Sequence, residues 1–395
     1  MADESFASLG LRPSLCEKCT MLGYESPTEI QRKTIPHILA QRSVVGLAST
    51  GSGKTAAFVL PILDRIIEKP RVFSCCVVAP SRELAIQIEG QFRVFGNELG
   101  LKSALLVGGL DVVGQAIALS KKPHVIVCTP GRLVEHLETT KGFGLKKTRF
   151  LVIDEADQIL EHNFEEDLEK IVRSCSPERQ TLLFSATMSE KVETLRRTAL
   201  RKHVFIKLSE RYETVDQLAQ FYLLAQAQEK EASLVYLLRE FSGGKTIVFC
   251  KTRKAVQWVH LMLTELEFNA ECVHGDMNQE KRMAAMARFR ETQDILVATD
   301  VASRGLDIDG VDCVINQDIP RNTKDYIHRV GRTARAGRAG RAITIVTQYT
   351  VGDYQDLEKR LRRRLERYSV PRESVQGLLD DVVEAGRYAS AKLKD

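Results

Sequence analysis

Short runs of β-branched and other apolar residues alternate with longer helical patterns from one end of this chain to the other. Such alternation is typical of parallel sheets covered by helices on both faces. The first half of the chain predicts strands at residues 44–48, 75–80, 104–108, 125–129, 150–154, 181–186 and 203–208. The second half predicts strands at residues 219–224, 246–250, 271–274, 295–300, 313–317 and 342–347. We therefore expect two similar α/β domains.

Length and charge agree with this expectation. The chain has 395 residues, and domains of about 100 to 200 residues would divide it into two or slightly more. Its 57 Lys and Arg against 52 Asp and Glu leave a net charge of +5, with 44% hydrophobic residues, which excludes disordered and collagen-like chains. No apolar run approaches the roughly 20 residues that cross a bilayer, and the acidic amino end has no hydrophobic signal core. We expect a cytosolic or nuclear protein without a membrane partner.

The nine cysteines indicate a reducing compartment, because most of them lie inside apolar runs where a thiol behaves as a small buried hydrophobe. Cys16 and Cys19 have the spacing of a zinc-binding or redox pair. No second pair lies nearby in the sequence, which favours the interpretation that both are ordinary helix residues.

A glycine-rich segment follows the strand predicted at 44–48 and precedes a helical pattern. This order predicts a phosphate-binding loop, in which glycine N–H groups close around the phosphates. Lys54 would neutralise the β and γ oxygens, and the Thr55 hydroxyl would ligate Mg²⁺. The candidate ATP-contacting residues of the loop are Ser49, Thr50, Gly51, Ser52, Gly53, Lys54 and Thr55.

Two acidic residues, Asp154 and Glu155, stand at the end of the strand predicted at 150–154. Asp154 would hold Mg²⁺, through water, while Glu155 would accept a proton from the hydrolytic water or orient it. The alternative is that these acids only cap the start of a helix.

Residues 154–157 spell Asp-Glu-Ala-Asp, and here the chain resembles the DEAD-box RNA helicases. The resemblance implies an α/β fold of two tandem RecA-like domains, each a mainly parallel sheet flanked by helices. It places the ATP-binding domain at 1–208, a linker at 209–216, a second helicase domain at 217–350 and a helical extension at 351–395. It also implies RNA-stimulated hydrolysis of ATP and local unwinding of short duplexes.

The segment at residues 23–31 is similar to the adenine-reading Q motif of the family, with Phe6 as the isolated aromatic that precedes it. The resemblance implies that Tyr24, Thr28 and Gln31 contact the nucleotide. A side-chain amide can pair with the exocyclic amine and N7 of adenine, so Gln31 would select ATP. Asp307 would meet the ribose.

Further family motifs stand at the ends of predicted strands. The RNA-binding residues that the resemblance implies are Arg82, Gly108, Gly109, Thr129, Gly131, Arg132, Arg253, Gly275 and Thr299. Backbone N–H groups, hydroxyls and guanidiniums suit phosphate oxygens and carry no base information, so RNA binding would tolerate many sequences. Taken singly, each loop could be an ordinary turn that ends a strand.

Two other motifs would connect the bound ligands. By resemblance, Asp157, Ser185 and Thr187 couple the acidic site to RNA, although Ser185 and Thr187 could simply cap a helix. Arg332 and Arg335, three residues apart on one predicted helix face, are candidates for arginine fingers on the γ-phosphate. His328 would contact the acidic motif. A basic helix with a surface salt bridge is the alternative.

The segment 359–367 carries basic residues on a helical pattern, which fits either a solvated helix face or an RNA-touching surface. Residues 122–124, 136–143, 345–349 and 382–394 resemble the nucleolar branch of the family, which processes pre-ribosomal RNA toward the small subunit. This resemblance implies a nuclear, nucleolar protein that acts on pre-rRNA with ribosome-assembly proteins, and we expect a monomer. Two other functions stay open: an ATP-dependent RNA clamp with little unwinding, and a DNA translocase.

Overall fold

The computed structural model describes residues 5–48, 51–200, 202–208, 218–292, 294–300, 311–334 and 339–394. The chain divides into two compact units, Met1–Glu210 and Arg211–Asp395, which we call the first and second domains. Each contains a sheet of seven parallel strands, so the predicted fold class is confirmed. The linker expected at 209–216 lies outside the described residues. No helix in the described ranges is long and apolar enough to span a membrane.

The first sheet has the strand order β3-β4-β2-β5-β6-β1-β7. Its strands are β1 (Ser43–Leu47), β2 (Cys75–Val78), β3 (Ser103–Leu106), β4 (Val125–Cys128), β5 (Phe150–Ile153), β6 (Gln180–Ser185) and β7 (His203–Lys207). The central strands β2, β4, β5 and β6 are buried along their whole length. Continuous apolar runs of this kind are what parallel strands need when helices cover both faces.

Nine helices cover this sheet in the part of the first domain that the structure describes. They are α1 (Pro13–Met21), α2 (Glu29–Leu39), α3 (Lys54–Glu68), α4 (Arg82–Gly96), α5 (Val112–Ser120), α6 (Pro130–Thr139), α7 (Ala156–Glu161), α8 (Glu165–Ser174) and α9 (Glu190–Ala199). Neighbouring residues of a strand enter opposite cores, as Val44 and Val45 of β1 do. Cys19 lies in α1 and packs in one of these cores, where burial raises the pKa of its thiol to about 12.

The second sheet has the order β10-β11-β9-β12-β13-β8-β14. Its strands are β8 (Leu218–Leu224), β9 (Thr246–Phe249), β10 (Ala270–Val273), β11 (Ile295–Ala298), β12 (Cys313–Asn316), β13 (Gly340–Val346) and β14 (Glu366–Arg367). Its described helices are α10 (Lys230–Glu240), α11 (Arg253–Glu265), α12 (Gln279–Glu291), α13 (Thr323–Val330), α14 (Val351–Leu361), α15 (Arg372–Gln376) and α16 (Leu379–Lys392).

The basic segment 359–367 is not one helix, and this corrects the sequence prediction. Helix α14 ends at Leu361, and Arg362 adopts a left-handed backbone with φ of 52°. Leu365 then turns into the core, and β14 pairs in parallel with β8 at the edge of the sheet. Burial of one leucine and pairing of an open strand edge outweigh the helical pattern of the charges.

The end of the chain packs against the second domain. Helix α16 lies on α11, where the indole Nε1 of Trp258 donates a hydrogen bond to Ser390 Oγ at 2.9 Å. Gly386 allows this close approach, because a Cβ atom there would lie 2.9 Å from the Trp258 ring. The buried side chains of α16 belong to the same apolar cluster as those of α10 and α11.

Candidate nucleotide and RNA site

The glycine-rich loop connects β1 to α3 at the carboxyl edge of the first sheet. Gly51 and Gly53 have φ values of 81° and 91°, a left-handed backbone that glycine adopts without strain. Helix α3 begins at Lys54, whose Nζ donates to the carbonyl of Ala48 at 2.9 Å. Lys54 is buried, with 6% of its surface exposed, and so is held at the loop. Ser49 and Thr50 lie outside the described residues.

The side-chain amide of Gln31 joins the start of α2 to this loop. Its Oε1 accepts from the backbone N–H of Thr28 at 2.9 Å, and its Nε2 donates to the carbonyl of Gly53 at 3.1 Å. The first contact is the helix-capping arrangement that Thr and Gln form three residues apart. The second contact was not predicted. It places a residue of the Q motif directly on the phosphate loop.

The aromatic residues of the Q-motif region belong to the core of the first domain. Phe6 is buried in the same apolar cluster as α3, and Tyr24 is partly buried against it. The Tyr24 ring meets Phe95 edge to face at 5.9 Å between centroids. This packing fixes the chain that leads into α2.

The acidic turn follows β5 at the same edge. Asp154 is 2% exposed, and its Oδ1 accepts from the N–H of Glu155 at 3.0 Å. Burial raises the pKa of Asp154 to about 7; Lys54 opposes the shift, whereas the Glu155 and Asp157 carboxyls add to it. Lys54 therefore favours the ionised form of this carboxyl, and the two neighbouring acids oppose it. A cation next to Asp154 would stabilise its ionised form.

Glu155 has a strained backbone, with φ of 48° and ψ of 49° at the start of α7. A non-glycine residue in this region costs about 1 kcal/mol or more, and such residues gather at functional sites. Glu155 is also buried, with 5% of its surface exposed. The turn therefore holds two buried carboxylates in sequence where an ordinary helix start would expose them.

Asp157 connects the acidic turn to the turn after β6. Its Oδ2 accepts hydrogen bonds from the backbone N–H of Thr187 at 3.1 Å and from the Thr187 hydroxyl at 2.8 Å. The hydroxyl of Ser185, which is fully buried, donates to the carbonyl of Thr187 at 2.8 Å. The structure thus brings together the three residues that the resemblance implied for coupling. Neither hydroxyl caps α9, whose cap is Ser189.

The RNA-binding candidates of the first domain follow β2, β3 and β4 at the carboxyl edge. A Cβ atom on Gly108 would lie 3.2 Å from the guanidinium of Arg82, so these two residues are neighbours. Arg132 Nη1 donates to the carbonyl of Leu110 at 3.0 Å. Thr129 is the residue before α6, and Gly131 and Arg132 lie in the first turn of that helix. Gly109 has a left-handed backbone with φ of 77°.

Gln115 holds the loop that contains Gly108 and Gly109, and the sequence analysis missed it. Its amide exchanges two hydrogen bonds with the backbone of Val107, at 2.9 and 3.1 Å. His136 lies behind it, with Nε2 3.4 Å from Gln115 Oε1 and Nδ1 2.8 Å from Thr140 Oγ1. A single amide in the otherwise apolar α5 is the signal that could have identified this position.

The second domain places its RNA-binding candidates after three neighbouring strands. Arg253 begins α11 after β9, Gly275 follows β10, and Thr299 follows β11. Gly275 lies beside Arg253, which pairs with Asp276. Because β10, β11 and β9 are adjacent in the sheet, these residues share one edge.

Arg329 forms a buried network that the sequence analysis also missed. Its guanidinium holds both carboxylate oxygens of Asp300, at 2.5 and 2.7 Å, and lies over the Phe249 ring at 5.1 Å. Nη1 donates to the Asn316 side chain at 3.1 Å and to the Asp318 carbonyl at 2.7 Å. Arg329 therefore ties α13 to the ends of three strands.

Arg332 does not lie on a helix face, which corrects the prediction for the arginine motif. Helix α13 ends at Val330, and Thr333 bonds through its hydroxyl to the Val311 carbonyl at 2.6 Å. That bond and a backbone bridge between the same residues draw the chain away from the helix. Arg332 is 3% exposed and donates to the carbonyl of His328 at 3.3 Å. Arg335 and Asp307 lie outside the described residues.

A glycine-rich loop before a helix, with a buried acidic turn at the same edge of a parallel sheet, defines a nucleotide-hydrolysing P-loop protein. The family model "DEAD/DEAH box helicase" matches residues 28–195, and "Helicase conserved C-terminal domain" matches residues 229–337. The chain belongs to the DEAD-box helicase family. The predicted family and its activity class, ATP-dependent RNA helicase, are confirmed.

Similar proteins include curated relatives that match along the whole chain. The ATP-dependent rRNA helicase RRP3 of Coccidioides immitis is 49% identical over 99% of this chain and 83% of its own length. The protein of the same name from Schizosaccharomyces pombe is 47% identical over 100% of this chain and 85% of its own. The structure of Saccharomyces cerevisiae Dbp5 bound to RNA and ADP BeF3 has a TM-score of 0.84 at 28% identity, covering 97% of this chain and 99% of that one.

Proposed function

We propose that this RNA helicase couples ATP hydrolysis to the local separation of short duplexes in pre-ribosomal RNA. The observation that carries the proposal is the pair of hydrogen bonds from Thr187 to Asp157. They give the buried acidic turn a direct mechanical connection to a second loop at the same edge. A displacement of one loop therefore alters the position of the other, as an enzyme that couples the binding of two ligands requires.

Within this proposal the phosphate loop binds the triphosphate. Lys54 neutralises the β and γ oxygens, and the N–H groups of Gly51 and Gly53 surround them. Thr55 and Asp154 would hold Mg²⁺, because both offer the hard oxygen ligands that this ion prefers and Asp154 is a buried carboxyl with acidic neighbours. Bound there, Mg²⁺ neutralises charge on the phosphates.

Glu155 is proposed to orient the attacking water and accept its proton. The buried, strained position of Glu155 supports this role, since a carboxylate that only capped a helix would not need either property. We propose that the second domain supplies Arg332, Arg335 and His328, with Arg335 as the arginine finger. A finger of this kind is worth about 10³ to 10⁵ in rate.

RNA is proposed to be bound by its backbone through candidates from both domains. The first domain offers Arg82, Thr129 and Arg132 with two glycines, and the second offers Arg253, Gly275 and Thr299. If each domain carries part of both sites, hydrolysis is slow until RNA is bound, and RNA is an activator as well as a substrate. Selectivity for one RNA sequence is not expected from such contacts.

The cellular role rests on the relatives. Two of them, 47% and 49% identical over nearly the whole chain, are named rRNA helicases. We therefore propose that the natural substrate is pre-rRNA, that the protein works in the nucleolus, and that it acts as a monomer together with ribosome-assembly proteins.

The enzymatic part is tested by ATPase and strand-release assays with and without single-stranded RNA. We expect RNA to stimulate hydrolysis, DNA of matched length to stimulate it far less, and ATP to release the strand of a short RNA duplex. ATP-dependent RNA retention without strand release would favour the clamp. Equal stimulation by DNA would favour a translocase and contradict the proposal.

Three substitutions assign the roles. Lys54→Ala should abolish most ATP binding, whereas Lys69→Ala, at the exposed other end of α3, should not. Glu155→Gln should bind ATP and RNA yet fail to hydrolyse and so accumulate an unreleased complex. Arg335→Ala should bind ATP but lose RNA-stimulated turnover. Wild-type hydrolysis in any of the three would contradict its assignment.

The cellular part is tested by crosslinking. RNA bound to tagged Glu155→Gln protein in cells should be enriched in pre-rRNA over messenger RNA, relative to the wild type. Enrichment of messenger RNA alone would contradict the proposed substrate while leaving the enzymatic activity intact.

A further inference from the structure

A polar cavity lies at the edge of the first sheet opposite the phosphate loop. Its volume is about 1200 Å³, and the first residues of β1, β5, β6 and β7 line it. The phosphate loop, the acidic turn and the RNA candidates of this domain stand where strands end. At about 3.3 Å per residue, a five-residue strand separates the two edges by about 15 Å, so this cavity is a distinct site.

The cavity is strongly cationic. Its lining contains seven Lys and Arg side chains and one carboxylate, Glu178, which gives +6 against +5 for the whole chain. Five of the cations are exposed on loops or turns: Arg42, Arg71, Lys146, Lys147 and Lys202. Charges gathered at this density raise the local concentration of polyanions.

Two of the arginines are fixed in place. Arg149 lies over the ring of Phe150, with its Cζ 5.4 Å from the ring centroid. Arg179 donates to the Thr181 hydroxyl at 3.2 Å and to the Ser176 carbonyl at 3.1 Å. Held guanidiniums lose less rotational freedom on binding an anion than mobile lysines do.

Arg149 has an unused donor. Its Nη1 is buried and has no hydrogen-bond partner among the described residues. Burial lowers the pKa of Arg149, and the neighbouring Arg71 and Arg65 guanidiniums add to the effect. A buried donor without a partner is costly by itself, and an anion such as phosphate beside this guanidinium would offset the repulsion from its cationic neighbours.

The lining favours a nucleic-acid backbone over a peptide. The described lining has two apolar side chains, Val72 and Phe150, and the Phe150 ring is covered by Arg149. Protein partners are anchored by buried aromatic or aliphatic side chains, for which this cavity has no pocket among its described residues. Phosphates need only cations. We propose that the cavity is an accessory site for the sugar-phosphate backbone of RNA that extends beyond the strand held at the carboxyl edge.

Such a site adds affinity only for long RNA, because a short strand occupying the carboxyl edge does not reach the other side of the sheet. The test is a triple variant, Arg71→Gln, Lys146→Gln and Lys147→Gln, which changes exposed turn residues. The matched control is Arg93→Gln, Lys170→Gln and Arg173→Gln, which removes the same charge from exposed helix positions outside the cavity. Equal melting temperatures would show that both variants fold alike.

Binding of single-stranded RNA of about 10 and about 30 nucleotides is measured by fluorescence anisotropy across a range of KCl concentrations. The slope of log K against log salt changes by about 0.7 for each phosphate that the protein neutralises. We expect the triple variant to lose about tenfold in affinity for the long RNA, and the slope of log K against log salt to be reduced by about 2. Its affinity for the short RNA should be unchanged. The control should match the wild type.

Unchanged affinity of the triple variant for the long RNA, or equal losses of affinity for both lengths, would overturn the proposal. If the triple substitution weakens binding of a poly-glutamate peptide and leaves the affinity for long RNA unchanged, the cavity is instead assigned to an acidic protein partner. RNA-stimulated ATPase activity with the short RNA tests the main function independently.

Discussion

The hydroxyl of Thr187 lies 2.8 Å from Asp157 Oδ2, and the backbone N–H of the same threonine lies 3.1 Å from the same oxygen. Thirty residues separate the two in sequence, but β5 and β6 are neighbours in the sheet and end side by side. One carboxylate oxygen therefore accepts hydrogen bonds from both donors of Thr187 in the Ser-Ala-Thr turn. The acidic motif and this turn form a single hydrogen-bonded unit.

Thr187→Val should uncouple this unit while preserving its shape. A hydrogen bond to a charged group contributes about 1.5 to 3 kcal/mol, so losing the hydroxyl should slow strand release about tenfold or more. ATP binding should be little affected, because Lys54 and the loop are unchanged. Thr187→Ser keeps the hydroxyl and is the control. Equal strand-release rates for the valine variant and the wild type would show that this contact does not couple the sites.

Gly53→Ala should lose nucleotide affinity by displacing Gln31. An added Cβ would lie 2.5 Å from Gln31 Nε2 and 2.8 Å from Thr28 Oγ1, and φ is 91°. Gly142→Ala is the control, because its φ of 79° imposes similar strain but nothing lies within 4 Å. Both variants should lose about 1 kcal/mol of stability. Only Gly53→Ala should weaken ATP binding, measured by calorimetry; equal affinities in the two variants would contradict the role of the Gln31 contact.

Arg329→Lys should destabilise the second domain. Lysine cannot reproduce the paired contacts with Asp300 together with the hydrogen bonds to Asn316 and the Asp318 carbonyl. The free energy of unfolding should therefore fall by about 2 kcal/mol or more. Arg288→Lys is the control, since Arg288 also holds both oxygens of one carboxylate, Glu271, but half of its side chain is exposed. That change should cost less than about 1 kcal/mol. Denaturant unfolding of both variants measures the difference, and equal losses would mean that the Arg329 network adds nothing beyond a surface pair.

His136 should make the stability of the first domain depend on pH. Burial lowers the pKa of His136, and Arg132 adds to this while Glu135 opposes it. The folded state then favours the neutral ring, so its contribution is present above the unfolded pKa of about 6.5 and is lost as the pH falls below it. Between about pH 7.5 and 5.5 the melting temperature of the wild type should fall more steeply than that of His136→Gln.

The control for this prediction is His162→Gln, which changes an exposed histidine of the same domain. It should follow the pH curve of the wild type. Parallel curves for the wild type and His136→Gln would contradict the prediction.

The sequence predicted most of the fold correctly, because its signals are local. Every predicted strand is present, and its ends differ from the predicted ends by at most two residues. The glycine-rich loop lies between β1 and α3 as expected. Strand periodicity and a glycine turn depend only on neighbours along the chain. The predictions failed at β14 and at Arg332, where tertiary contacts end a helix that the local pattern would have continued.

The candidate residues could be placed on one edge of each sheet from the sequence, but their contacts could not. Gln31 meets Gly53 across 22 residues, and Gln115 meets His136 across 21. Such pairs depend on which strands are adjacent and on how deep each side chain is buried. Neither quantity follows from spacing.

By itself, then, the sequence determined that two parallel sheets form and that glycines, acids and arginines stand at the ends of their strands. The tertiary structure decided that Asp157 receives Thr187, that Arg329 supports the second domain, and that seven cations surround a cavity where strands begin. The reason is physical. Backbone conformation is set within a few residues, whereas burial and hydrogen bonding are set by strand order, which brings distant residues to the same place.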